Sequence, residues 1–290
     1  MKPKRELPIG IFDSGLGGLT VARQIHYLMP HEELIYLGDT ARVPYGTKSA
    51  ATVVRFAYED TQFLIEQGVK AVVVACNTAS ALALPKLELD FEVPIYGVIQ
   101  PGVTAALAQS KTMRLGVIGT TATIRSGAYA RAIQARSDVA EVVALATPLL
   151  VSLVEEGWTE HPVTKLVLRE YLEPALRRGI DTLVLGCTHY PLLEAALREV
   201  VGPKVTLVDS AAACARSVQE QLGRLKLLTP RHRQLGKIQA FVTDEADRFR
   251  EAAERFLGFA TEPPRKVDLP AFGTFRTRTQ AARMNFRYSL

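Results

Sequence analysis

The sequence predicts an α/β protein of two similar lobes. Each lobe is expected to be a mostly parallel sheet flanked by helices, the two related by an internal duplication with a pseudo-two-fold axis. Three observations lead there. Short apolar, β-branched runs alternate with helical stripes, the pattern of parallel strands buried on both faces. Four of those runs recur in the same order at nearly constant spacing. The chain has 290 residues, 48% hydrophobic and 22% charged, ordinary proportions for a globular chain of about two domains.

The predicted strands are Ile9–Phe12, Leu34–Leu37, Ala71–Ala75, Ile95–Val98, Leu115–Ile118, Val142–Leu145, Leu183–Leu185, Val205–Val208 and Ile238–Val242. Between them, Leu19, Ala22, Ile25 and Met29 form a helical stripe that Pro30 stops. Val53, Ala57, Thr61 and Leu64 form another, with Gly68 placed to cap it. Val167, Tyr171 and Ala175 mark a third, which Pro174 is expected to kink. A last helix is expected over Ala246–Leu257.

The repeat aligns Ile9 with Leu115, Leu34 with Val142, Gly68 with Gly179 and Pro94 with Lys204, at offsets of 106, 108, 111 and 110 residues. It divides the chain into a first lobe of residues 1–100 plus 213–260, which is discontinuous, and a second of residues 101–212. Residues 261–290 lack periodicity and read as a loosely ordered basic tail.

Composition excludes several classes. Enough apolar surface is present to rule out a disordered chain. The most apolar stretch, Val69 to Pro85, carries Lys70 and Asn77 and is too short to span a bilayer. The apolar run after the charged N-terminus is too short for a signal-peptide core, so a cytoplasmic location without membrane partners is expected. Three widely spaced cysteines, at 76, 187 and 214, make no disulfide framework. The net charge is +5, but the segment from Glu262 carries six basic and two acidic residues, leaving +1 for the rest. A neutral globule with a basic tail gives little support for a nucleic-acid partner.

In open α/β sheets, ligands bind beyond the carboxyl ends of the strands. Here those ends hold Asp13-Ser14-Gly15, Gly38-Asp39-Thr40, Cys76-Asn77-Thr78, Gly119-Thr120-Thr121 and Cys187-Thr188-His189. Two facing lobes would gather them around one cleft, with helix starts favouring an anionic ligand. The glycines after Asp13 do not complete a dinucleotide loop, since Thr20 stands where the third glycine is needed.

Cys76 and Cys187 occupy equivalent repeat positions, each ending a buried strand before a polar residue. A core cysteine has no reason to obey that symmetry. A thiol at a helix start is expected to have a lowered pKa. Two thiols on opposing walls of a cleft suit the interconversion of mirror-image substrates, one removing a proton from a carbon and the other returning one to its opposite face. Disulfide exchange lacks a C-x-x-C pair, and zinc on Cys76, Cys187 and His189 lacks a recognised ligand spacing. Cys214, in an alanine-rich helix with no repeat partner, reads as structural.

Asp13-Ser14-Gly15-x-Gly17-Gly18, Gly38-Asp39-x-x-Arg42-x-Pro44-Tyr45-Gly46, Cys76-Asn77-Thr78 and Gly186-Cys187-Thr188-His189-Tyr190-Pro191 together resemble the glutamate racemase family, within the cofactor-independent aspartate/glutamate racemases. The resemblance runs from about Ile9 to Phe256. It implies L-glutamate ⇌ D-glutamate, supplying D-glutamate for bacterial peptidoglycan, with no pyridoxal phosphate, metal or nucleotide. It implies that Cys76 takes the α-proton from D-glutamate with help from Asp13. Cys187 would take it from L-glutamate with help from His189, and Glu155 matches a further acidic residue. Ser14, Tyr45, Gly46, Asn77, Thr78 and Thr188 match positions that hold the substrate, together with Asp13 and His189. Thr120 and Thr123 are candidates for its side-chain carboxylate. A homodimer is the assembly the resemblance brings into consideration.

Other readings remain. A racemase or isomerase for aspartate, a hydantoin or maleate would keep both cysteines but change the substrate loops, and the Arg42–Gly46 segment disfavours it. A decarboxylase of the superfamily needs only one cysteine. A two-lobed solute-binding protein would share the cleft without needing symmetric thiols.

Overall fold

The computed structural model describes residues 3–230, 234–244 and 246–269. Strands β1 (Ile9–Asp13), β2 (Leu34–Gly38), β3 (Ala71–Val74) and β4 (Ile95–Gly97) form one sheet. Strands β5 (Arg114–Gly119), β6 (Glu141–Ala146), β7 (Thr182–Gly186) and β8 (Thr206–Asp209) form a second. The order is β2-β1-β3-β4 in one and β6-β5-β7-β8 in the other, so the repeat in sequence is a repeat in space. Every pairing is parallel. Strand β9 (Ile238–Val242) adds to the first sheet beside β2, and β10 (Arg265–Lys266) adds beside β9.

Registers match across the repeat. Ile9 pairs with Leu34 and Ala71, and its counterpart Leu115 pairs with Val142 and Thr182. The fourth strands differ slightly. Val72 pairs with Ile95, whereas its counterpart Leu183 pairs with Leu207, an offset of 207 − 95 = 112 rather than the 110 read from sequence. A slip of two leaves the same side chains on the same face.

Alternation along each strand feeds two cores. Ile9, Ile11, Tyr36 and Val73 enter a core shared by both sheets, reached by Ile25, Val103 and Val218 of the Leu19–Leu28, Ile99–Gln109 and Ser210–Arg224 helices. Phe12, Leu37, Val72 and Val74 point the other way, under the Ala50–Glu66 helix. Both faces are therefore covered, which explains why these strands read as continuous apolar runs.

Two expectations need correction. The helix after His161 runs over Pro162–Arg177 and buries Thr164, Leu168, Leu172 and Ala175, with Val167 and Tyr171 only half-buried, so its inner face is one residue off the predicted stripe. The segment from 261 is not wholly without structure, because Arg265–Lys266 pairs with Phe241 and Val242. The tail expected over 270–290 lies outside the described residues. No helix among the described residues is long and apolar enough to cross a membrane.

Candidate active site

The carboxyl ends of both sheets meet around a cavity of about 30 Å³. Its walls include Ser14, Tyr45, Gly46, Cys76, Asn77 and Thr78 from the first lobe and Thr120, Cys187, Thr188 and His189 from the second. Val43, Pro44 and Val151 complete the lining. Asp13, Glu155 and Thr123 stand one layer behind, each bonded to a lining residue. The structure thus brings every sequence-predicted site residue to one place, although no residues from the two lobes are close in sequence.

Two glycines allow the lobes to approach this closely. A Cβ on Gly17 would lie 2.2 Å from Thr188 Oγ1 and 2.5 Å from His189 Nδ1. A Cβ on Gly46 would lie 2.7 Å from Thr120 Cβ. Both contacts cross from one lobe to the other, and neither leaves room for a side chain.

Cys76 sits at the N-cap of the Asn77–Leu82 helix, and its thiol donates to Ser14 Oγ at 3.9 Å. The expected lowering of its pKa is not found. Burial, with Asp13 close by, pushes the Cys76 thiol up to about 12. A helix of six residues is a weak dipole source, and desolvation together with a neighbouring carboxylate outweighs it. Cys76 is consequently a proton donor at neutral pH.

Asp13 ends β1 and is fully enclosed. Gly15 N–H donates to its Oδ2 at 3.0 Å, and Thr188 Oγ1 lies 3.5 Å from Oδ1. Burial raises its carboxyl, and His189 and the backbone donors of this turn act against that.

Cys187 is followed by a turn and a short 3₁₀ helix, Tyr190–Leu193, rather than by an α-helix start. Its partner is therefore a side chain. His189 places Nδ1 3.8 Å from Cys187 Sγ and Nε2 3.1 Å from Glu155 Oε1. The edge-to-face packing of Phe256 fixes the ring, at 5.5 Å between centroids. Burial alone would lower the His189 pKa, but the bonds to Cys187 and Glu155 prevail and raise it to about 10. The imidazole is a cation at neutral pH.

A test follows from that pair. A folded-state pKa above the ordinary 6.5 stabilises the fold fully below pH 6.5, and the contribution is lost as pH rises through about 10. Glu155→Gln removes the carboxylate and leaves burial less opposed. The variant is expected to melt lower than wild type at pH 6.5 and to show a shallower loss between pH 6.5 and 10, measured by thermal unfolding across that range.

Thr78, Thr120 and Thr123 form a triangle of hydroxyls spanning the lobes, with Oγ1–Oγ1 distances of 2.9, 3.1 and 2.9 Å. Asn77 presents Oδ1 to the Tyr129 hydroxyl at 2.7 Å, and its Nδ2 is buried with no protein partner.

Tyr45 lines the cavity, but its hydroxyl is not offered to a ligand. It donates to Asp39 Oδ2 at 2.5 Å and to Asp60 Oδ2 at 2.8 Å. The one phenolic proton serves one of the two carboxylates at a time. Burial and Asp39 push Asp60 well above the usual carboxylate range. Arg42 clamps the group from outside, reaching Asp39 at 2.6 Å, Asp60 at 3.1 Å, and Glu59. Tyr45 is thus the anchor of the Val43–Gly46 loop.

Several contributors were not picked out from sequence. Val43 and Val151 are ordinary apolar residues there, and Tyr129 and Phe256 carry no motif. Asp60 could have been suspected only from the Arg42 motif, whose cation needs buried anionic partners.

Comparison with known proteins finds relatives of this chain by sequence and by fold. The profile of the Asp/Glu/hydantoin racemase family matches residues 19–218. A glutamate racemase of Geobacter metallireducens is 52% identical over 250 residues, covering 86% of this chain and 92% of that protein. The crystal structure of glutamate racemase isoform RacE1 from Bacillus anthracis superposes with a TM-score of 0.88 at 38% identity, covering 92% of this chain and 99% of that one. That of the Francisella tularensis glutamate racemase in complex with D-glutamate gives 0.84 at 37% identity, covering 91% and 98%. By sequence and fold together, the chain belongs to the Asp/Glu/hydantoin racemase family, among its glutamate racemases.

Proposed function

We propose that this chain interconverts L- and D-glutamate by proton transfer at Cα between Cys76 and Cys187, without a cofactor, and so supplies D-glutamate for bacterial peptidoglycan. The observation that carries the reading is the presence of both strand-end cysteines in the wall of one interlobe cavity, each with its own polar assistants. Glutamate as the substrate is supported by relatives that bear that name at about half identity.

In the L to D direction, Cys187 removes the α-proton and Cys76 returns one from the other side. His189, held as a cation by Glu155, holds the negative charge that Cys187 carries when it acts as base. Cys76, kept protonated by burial and Asp13, is the ready acid. The reverse direction exchanges the roles, with Asp13 assisting Cys76. The carbanion-like transition state spreads charge onto the α-carboxylate. Asn77 Nδ2 and the threonine hydroxyls are donors placed before it forms, the arrangement that lowers such barriers most. Thr120, in the cavity wall, turns its proton to the side-chain carboxylate, with Thr123 behind it as its hydrogen-bond partner. The cavity has room for about two waters. Glutamate needs several times that space, so binding requires the lobes to part and close again.

Purified enzyme in D₂O with L-glutamate alone should lose optical rotation and gain deuterium at Cα at matching rates. Full activity that depends on added pyridoxal phosphate, or racemisation without deuterium uptake, would contradict the proposal.

A further inference from the structure

We infer that Tyr129 is a positioning residue, whose hydroxyl reaches across from the second lobe and fixes the Asn77 amide so that Nδ2 rather than Oδ1 faces the substrate. The inference deepens the proposed function and rests on it.

Tyr129 lies in the Ala128–Gln134 helix and is 2% exposed. Its hydroxyl donates to Asn77 Oδ1 at 2.7 Å. An amide nitrogen cannot accept that proton, so the bond selects one of the two orientations of the amide. The selected orientation leaves Nδ2, with two N–H donors, buried and unpartnered in a residue that lines the cavity. A buried donor without an acceptor is costly and rare in a native protein. It is accounted for if a ligand supplies the acceptor, and a carboxylate does so with a charge-assisted bond. The opposite orientation would set oxygen lone pairs against that anion.

Burial raises the Tyr129 pKa, so the phenol retains its proton. Ser210, beside it, donates to the Leu185 carbonyl at 2.8 Å. The ring is held close to β7, where a Cβ on Gly186 would stand 3.1 Å from Tyr129 Cε2. Because Tyr129 and Asn77 belong to different lobes, the donor is aimed only when the lobes are together.

Kinetics of Tyr129→Phe, Asn77→Ala and the double variant test this. Tyr129→Phe keeps the ring and is expected to raise KM for glutamate about ten-fold, roughly one lost hydrogen bond. Asn77→Ala should lose at least as much. The double variant should equal Asn77→Ala alone, because the hydroxyl acts only through the amide. Losses that multiply, or an unchanged Tyr129→Phe, would overturn the inference. An unchanged Asn77→Ala would instead remove Asn77 from the proposed substrate site. A second measurement does not depend on the variants folding. The chain has two asparagines, Asn77 and Asn285, so ¹⁵N-asparagine labelling of wild type yields two side-chain amide signals. Saturating D-glutamate should shift the Asn77 pair, and no shift would refute the assignment.

Discussion

Replacing either Cys76 or Cys187 with alanine is expected to lower glutamate racemisation by about a thousand-fold or more, from either enantiomer. Both thiols line the same small cavity. L- and D-glutamate have equal free energy, so kcat/KM must stay equal in the two directions for any variant. A one-sided defect therefore cannot show in that ratio, and it must show in exchange. Cys76→Ala keeps Cys187 and should slowly incorporate deuterium from D₂O into L-glutamate without inverting it. Cys187→Ala should do the same only for D-glutamate. Proton NMR with chiral chromatography reads both outcomes. Either variant retaining more than a tenth of wild-type racemisation would contradict a two-base scheme.

Gly17→Ala is expected to reduce kcat/KM about a hundred-fold or more, the usual consequence of moving catalytic groups by an ångström. The new methyl would stand 2.2 Å from Thr188 Oγ1 and 2.5 Å from His189 Nδ1. Thr188 can turn, but His189 is pinned by Cys187, Glu155 and Phe256 and has nowhere to go. The lobes must then separate, or the imidazole must leave Cys187. Thermal melting is expected to fall only modestly, since the methyl meets the cleft and not the core. Steady-state kinetics beside melting curves separates the two effects, and activity near wild type would show that the turn at 14–18 shifts freely.

Much of this was legible in the residues. Each strand but β10 was marked by a short apolar run, and the duplication made Cys76 and Cys187 equivalent in sequence; β10, the pair Arg265–Lys266, has no such run. The strand ends marked Asp13, Asn77, Thr188 and His189 as polar residues at the cleft, and the resemblance implied their roles. What escaped depends on distance through space. The Cys76 shift follows from how completely the thiol is enclosed and from Asp13 beside it, which no helix-start pattern reveals. The resemblance implied Tyr45 as a substrate-holding residue, but the motif does not reveal that its hydroxyl turns to Asp39 and Asp60. Tyr129 bonds to a residue 52 positions away and is flanked by alanines that say nothing of its task.

The placement of β9 has a consequence for how the chain is made. The second sheet uses one continuous stretch, Arg114 to Asp209, so its closures are short and can be completed early. The first must wait, because β2 receives its outer neighbour from Ile238–Val242, about two hundred residues later on the ribosome. Until that strand and the helix bearing Phe256 have emerged, β2 has an open edge and His189 lacks its aromatic wall. A nascent chain therefore carries both cysteines long before it can hold them in working order.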